Sequence, residues 1–229
     1  MKFNNIEHVF FDLDHTLWDF DKNSALTFGQ ILKEENIELS LPDFLATYVP
    51  INIEYWAKYR NDLVSKEALR VGRLKDSFAA LEIQVSEVTI DNLSNKYIEV
   101  LPGFNHLLED TLEILEYLKP KYKLHIITNG FEEIQHSKLS NAKILNFFNS
   151  ITTSEEAGVK KPHIDIFTKA LNKSNALPSN SIMIGDSYEA DIDGAINAGL
   201  KAIFFDYYNK KDKVQVPQIQ KLNELRRYL

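Results

Sequence analysis

The stretch from Val9 to Trp18, VFFDLDHTLW, runs from apolar residues into two carboxylates one residue apart, Asp12 and Asp14, with Thr16 following. A carboxylate with a reference pKa near ~3.9 is ionised at neutral pH and can attack an electrophile without a base to activate it. A second carboxylate two residues on faces the same way in extended chain and can carry a proton to or from a reacting group. Three more polar clusters follow: Thr128-Asn129-Gly130, Lys160-Lys161-Pro162, and Asp186-Ser187 with Asp191 one helical turn further on. Hydroxyls, backbone amides and a lysine hold anions, and additional carboxylates hold a hard cation. Taken singly, each cluster has a plain structural reading. Asp and Asn-Gly are turn residues, Lys-Lys-Pro is a solvated loop, and Gly-Asp-Ser is a helix cap.

The elements that carry the clusters decide between these readings. Residues 9–11, 124–128, 181–185 and 201–205 are short β-rich runs bounded by polar residues or glycine, the form of strands buried on both faces. Between them Phe104, Leu107, Leu108, Leu112, Leu115 and Leu118 recur at three and four and predict a helix, and a second helix is predicted over 164–174. Strand alternating with helix implies right-handed βαβ units, hence an α/β fold with a doubly wound parallel sheet and its ligand crevice at the carboxyl ends of the strands. All four clusters fall at a strand exit or a helix entry, so they converge on one rim. Residues 19–100 show amphipathic helical patterns without a buried strand and end at Leu101-Pro102-Gly103. The expected organisation is a core built from 1–18 and 101–229 with a helical insert over 19–100. Because the insert leaves the sheet immediately after the aspartate pair, it is expected to act as a lid.

Composition narrows the function classes. A chain of 229 residues with 44% hydrophobic content supports one large core, or a core with a smaller insert. A net charge of −7 and the lack of a Lys/Arg-dense run argue against a binder of nucleic-acid polymers. No cysteine is present, which excludes disulfides, thiolate catalysis and zinc-thiolate sites. One lysine and a brief apolar run precede Asp12, the pattern of neither a signal peptide nor a membrane span, so a soluble cytoplasmic protein is expected.

With the motifs in order, DxDxT at Asp12 to Thr16, Thr128 after a strand, Lys161 before proline and GDSxxxD ending at Asp191, the chain resembles the haloacid dehalogenase (HAD) superfamily of phosphohydrolases. The insert is similar to that superfamily's C1-type cap. The segments TNGFEEIQ, GVKKPHIDIF and GDSYEADIDGAINAGL resemble the branch of noncanonical pyrimidine 5'-nucleotidases. The resemblance implies a Rossmann-like core and a phosphomonoester substrate. In it Asp12 is the nucleophile that forms an aspartyl-phosphate, and Asp14 is the acid and then the base. Thr128, Asn129 and Gly130 bind phosphate oxygens, while Lys161 supplies fixed positive charge. Mg²⁺ is implied at Asp12, Asp186 and the backbone carbonyl of Asp14, with Asp191 orienting Lys161 or a metal-bound water. Haloalkanoate dehalogenases of the superfamily do not retain the second aspartate, because a halide leaves without a proton; Asp14 favours phosphoryl transfer. Phosphoglycolate or sugar-phosphate phosphatases, a phosphosugar mutase and a catalytically idle metabolite-binding module stand as alternatives.

In the insert, Asn52, Trp56, Tyr59 and Arg60 share a helical face at spacings of three and four, and Gly72-Arg73 follow in a second segment. One reading packs the aromatics into the insert's own core. The other stacks an aromatic on a base, and the branch resemblance implies that Asn52, Trp56, Tyr59 and Arg73 contact a pyrimidine nucleotide. Trp18 either guards the entrance or anchors the hinge. His15, His125 and His136 lack ligand-like spacing and read as structural or exposed. The expected partner is a small phosphomonoester, with neither a nucleic-acid polymer nor a membrane, on a monomer or homodimer.

Overall fold

The computed structural model describes residues 2–209 and 214–229. The chain divides into two compact units, Met1–Phe20 with Asn105–Leu229, and Asp21–Phe104.

The first unit opens with β1 (His8–Phe11), and every residue of that strand is buried. The chain then enters the second unit through α1 (Phe20–Glu34), α2 (Leu41–Arg60), α3 (Lys66–Ala80) and α4 (Glu87–Val100). Back in the first unit come α5 (Thr111–Leu118), β2 (Lys123–Thr128), α6 (Glu132–Asn141), β3 (Phe148–Thr153), α7 (Ser154–Ala157), α8 (Ile164–Ser174) and β4 (Ser181–Gly185). A π-helical segment, Tyr188–Asp193, leads into α9 (Gly194–Asn197), then β5 (Lys201–Phe205), β6 (Gln218–Ile219) and a 3-10 helix at Leu222–Arg227.

Among the described residues the strands form one parallel sheet in the order β3-β2-β1-β4-β5-β6. The chain moves outward from β1 to β2 and β3, then returns to the other side of β1 with β4. The strand order therefore reverses between β1 and β4, the place where doubly wound sheets open a crevice beyond the strand ends. Phe11 pairs with both Ile126 and Ile184, so β2 runs two residues and β4 one residue past the end of β1. Asp12 N donates to Ile184 O at 2.9 Å, which carries the β1–β4 pairing one residue further. One face of the sheet is sealed by Phe167, Ala170, Ile192 and Ala195 against Phe10, Ile127, Met183 and Phe204.

The second unit has its own aromatic core. Phe28 lies 4.5 Å from Tyr48 and 4.8 Å from Tyr97 between ring centroids, and Phe44 lies 5.5 Å from Phe78. Ser65 and Ser86 cap α3 and α4 by accepting from Ala68 N and Thr89 N.

Three sequence expectations change. The helix expected from Phe104 begins only at Thr111. Residues 106–108 instead run beside 17–19: Asp19 N donates to His106 O, Leu108 N donates to Leu17 O, and Trp18 bridges Leu107. These tertiary hydrogen bonds take the backbone groups that a helix would have used. β3 and β6 were not expected, because edge strands exposed on one side present no continuous apolar run; β3 reads Phe-Asn-Ser-Ile-Thr-Thr.

Candidate active site

The nucleophile candidate, Asp12, leaves β1 in a tight loop. Leu13 O accepts from both Leu17 N and Trp18 N at 2.9 Å, and His15 N donates to Trp18 O at 3.0 Å, with His15 in the left-handed region at φ 65°. The loop folds Thr16 back so that its Oγ1 lies 3.4 Å from Asp12 Oδ2 and 3.3 Å from Asp186 Oδ1, and it accepts from Asp186 N at 3.2 Å. The exits of β1 and β4 thus meet across one buried hydroxyl. Trp18, fully buried, is an anchor of this loop.

Lys161 enters from the loop before α8 and is 2% exposed. Its ammonium donates to Asp12 Oδ1 at 2.5 Å and Ile127 O at 2.8 Å, and forms an ion pair with Asp191 Oδ1 at 2.7 Å. Asp191 Oδ2 accepts from Ser187 N at 3.0 Å. That placement leaves Asp191 holding Lys161 and the start of the helical turn beyond β4. The lysine is itself held by Asn129, whose side chain accepts from Lys161 N at 2.8 Å and donates to Lys161 O at 3.0 Å. Thr128 Oγ1 accepts from Gly130 N at 3.0 Å, so the β2 exit is a compact turn presenting its backbone at the crevice. A Cβ on Gly130 would run into the Gln135 amide and stand 3.2 Å from Asp14 Oδ2, which is why a glycine occupies the position.

Four charges in so small a volume set the electrostatics. Burial pushes Asp12 up to about 7; Lys161 opposes the shift, and Asp191 and Asp14 reinforce it. Burial also holds Asp186 well above the ordinary carboxylate range, with Asp12 and Asp191 adding repulsion. Burial disfavours the Lys161 ammonium too, but the Asp12 and Asp191 carboxylates outweigh it and raise its pKa. Lys161 is one positive charge against three carboxylates. Asp12, Asp186 and Asp191 each place an oxygen within 4.8 Å of the others. Asp12 Oδ1 and Asp191 are committed to Lys161, so Asp12 Oδ2 and Asp186 are the hard oxygen donors left facing one another. A divalent cation between them fits this donor set and relieves the repulsion that raises both pKa values.

The sequence reading missed Lys138. This residue of α6 is 1% exposed and binds both oxygens of Asp14, at 2.7 and 2.9 Å. Its spacing from Ile134 and Gln135 puts it on the buried stripe of the helix, the one signal that could have singled it out. In the helical unit the structure joins two predicted residues: Arg73 Nη1 donates to Asn52 Oδ1 at 2.8 Å, and the guanidinium lies 4.9 Å from the Tyr97 ring. Both are buried. Trp56 is half-buried and meets the buried Tyr59 edge-on at 5.7 Å, while Arg60 is half-buried and Gly72 sits where a Cβ would strike the Tyr55 ring. Among the histidines, His136 is exposed and His15 lies 3.2 Å from the Tyr208 hydroxyl. His125 is buried 3.1 Å from His8 and pushed down to about 3 by burial, with His8 and Lys123 adding to the shift.

Residues 9–205 match the family model of haloacid dehalogenase-like hydrolases. The pyrimidine 5'-nucleotidase YjjG of Escherichia coli is 29% identical over 89% of the chain and 87% of its own length. The pyrimidine 5'-nucleotidase PynA of Streptococcus pneumoniae is 30% identical over 90% of the chain and 86% of its own. A glyceraldehyde 3-phosphate phosphatase of Pyrococcus abyssi is 32% identical over 88% and 82%. Among solved structures, the HAD-hydrolase YfnB of Bacillus subtilis bound to magnesium superposes with a TM-score of 0.88, 25% identical over 98% of each chain. No helix among the described residues is long and apolar enough to cross a membrane.

Proposed function

The chain belongs to the haloacid dehalogenase-like hydrolase family, and from that premise we propose that it hydrolyses phosphate monoesters, with pyrimidine nucleoside 5'-monophosphates as preferred substrates. The observation that carries the phosphatase reading is the division of labour between Asp12 and Asp14. Lys161 takes Oδ1 of Asp12, whose Oδ2 meets the Thr16 hydroxyl, while Asp14, two residues on, is held by a separate cation, Lys138.

In the first half-reaction Asp12 attacks phosphorus, forming an acyl phosphate as the bond to the leaving oxygen breaks, and Asp14 delivers a proton to that oxygen. In the second, Asp14 takes a proton from water as the water attacks the same phosphorus, and the Asp12 carboxylate departs from inorganic phosphate. Lys161 keeps Asp12 aimed and neutralises part of the charge gathered on the phosphoryl oxygens. Thr128 and the backbone amide of Asn129 donate to those oxygens. Asp12 and Asp186 would hold Mg²⁺, which would supply positive charge between an anionic nucleophile and an anionic ester. A halide would need no proton, so Asp14 favours an oxygen leaving group.

The nucleotide preference draws on the two pyrimidine 5'-nucleotidases, each aligned over most of its own length. In the helical unit Trp56 is the ring proposed to stack on the base, worth roughly 1 to 3 kcal/mol. Asn52, four residues before it, is tied to Arg73 and steadies α2. A second reading, a triose or other sugar phosphate, is favoured by the glyceraldehyde 3-phosphate phosphatase relative. A phosphate-release screen over pyrimidine and purine nucleotides, glyceraldehyde 3-phosphate, phosphoglycolate and hexose phosphates separates the two. Pyrimidine nucleotides are expected to give the highest kcat/KM, and a triose or hexose phosphate in first place overturns the nucleotide assignment.

A further inference from the structure

Lys138 and Lys161 are buried lysines among the described residues, and the phosphoryl chemistry above uses Lys161 but not Lys138. Its ammonium is 1% exposed, touches both oxygens of Asp14, and lies 4.3 Å from the Trp18 ring centroid and 5.6 Å from that of Phe20. Asp14 is its ion-pair partner at 2.7 Å. Asp14 in turn has a side chain 20% exposed and sits in a loop whose backbone alone would let the carboxyl take several rotamers.

We propose that Lys138 is a positioning residue that fixes the Asp14 carboxyl at the leaving-group side of the crevice, and so determines how well the enzyme cleaves esters whose leaving oxygen needs a proton. Separating a buried ammonium from a carboxylate that binds it through both oxygens is unfavourable, so Asp14 cannot swing away without losing that ion pair. Contact with both oxygens restrains the rotation of the carboxyl as well as its position. The aromatic faces of Trp18 and Phe20 stabilise the cation from its other sides without offering it a competing acceptor. Trp18 belongs to the same tight loop as Asp14, and Leu13 O accepts from its backbone. Lysine, loop and carboxyl therefore form one rigid piece. Gly130 completes the setting, since a side chain there would crowd Asp14 Oδ2. Proton transfer by a side chain depends on its lying within hydrogen-bond reach of the reacting oxygen, so loss of the fixed position lowers proton delivery selectively.

This inference rests on the reading of Asp14 as the acid, and the test separates the two. Leaving-group release in the first turnover is measured for a nucleoside or alkyl phosphate and for p-nitrophenyl phosphate, whose leaving group needs little protonation. Lys138→Met is expected to slow the alkyl ester by roughly tenfold or more and the aryl ester by much less. Lys138→Arg, which keeps a cation with paired donors, is expected to recover part of the alkyl rate. In an Asp14→Asn background Lys138→Met should bring no further loss on the alkyl ester. This double variant removes both charges together, so it remains informative even where the unpaired single variant unfolds. Equal slowing of both esters by Lys138→Met in a folded protein, or a full additional loss in the Asp14→Asn background, overturns the role of Lys138. If Asp14→Asn itself slows both esters equally, the acid role of Asp14 fails instead, and the inference falls with it.

Discussion

Removal of divalent cations exposes the strain between the buried carboxylates as a pH-dependent loss of stability. Asp12 titrates at 3.8 in an unstructured chain and at about 7 in the fold, chiefly because burial disfavours its charge. A folded pKa above the unfolded one means that the folded state holds the proton more tightly. The resulting stability is fully present below pH 4 and is lost as pH rises through about 7. The shift spans about three units, which sets a ceiling of ~4 kcal/mol for this group. Asp186 is raised as well and shares protons with Asp12, so the pair is expected to lose a few kcal/mol in total across this range. A divalent cation facing Asp12 Oδ2 and Asp186 takes over the neutralisation and should flatten the profile. The assay is urea unfolding at a series of pH values, once in EDTA and once in millimolar Mg²⁺. The denaturation midpoint should fall between pH 4 and 8 in EDTA and hold steady in Mg²⁺, and Asp12→Asn should weaken the EDTA slope. Identical profiles with and without Mg²⁺, or an undiminished slope in Asp12→Asn, would refute the assignment of this cluster as the source of strain.

Asp12→Asn keeps the shape of the nucleophile and removes its charge, so turnover should drop by roughly 10³-fold or more without loss of fold; near-normal activity in a purified variant excludes covalent catalysis at Asp12. Gly130→Ala places a methyl group against the Gln135 amide and within 3.2 Å of Asp14 Oδ2, so phosphatase activity should fall while circular dichroism stays native; unchanged kcat shows that the turn has room to give.

The sheet was legible because its central strands are buried on both faces and therefore appear as unbroken apolar runs; 181–185 and the helix at 164–174 coincide with the observed β4 and α8. The strand-exit clusters were legible for a related reason. A polar residue that ends such a run has no packing role to explain it. Other features depend on partners distant in sequence. Asn129 reads as a turn residue, yet its side chain clamps the backbone of Lys161. Lys138 reads as one lysine of a polar helix until Asp14 is known to lie beside it. The periodicity of Phe104, Leu107 and Leu108 is apolar burial at helical spacing, and the hydrogen bonds to residues 17–19 override it.

Those same hydrogen bonds mean that the chain leaves the sheet domain and returns to it at a single point. Asp19 and His106, and Leu17 and Leu108, are joined across the gap, while everything from Asp21 to Phe104 hangs between them. To the rest of the domain the four helices are a parenthesis. Closing a flexible loop costs only about 0.6 kcal/mol more for each doubling of its length, so the size of what stands between the brackets weighs little on the core. The bracket itself closes within the first unit, between residues 17–19 and 106–108. A change of length inside the bracket is therefore expected to leave residues 17–19 paired with 106–108.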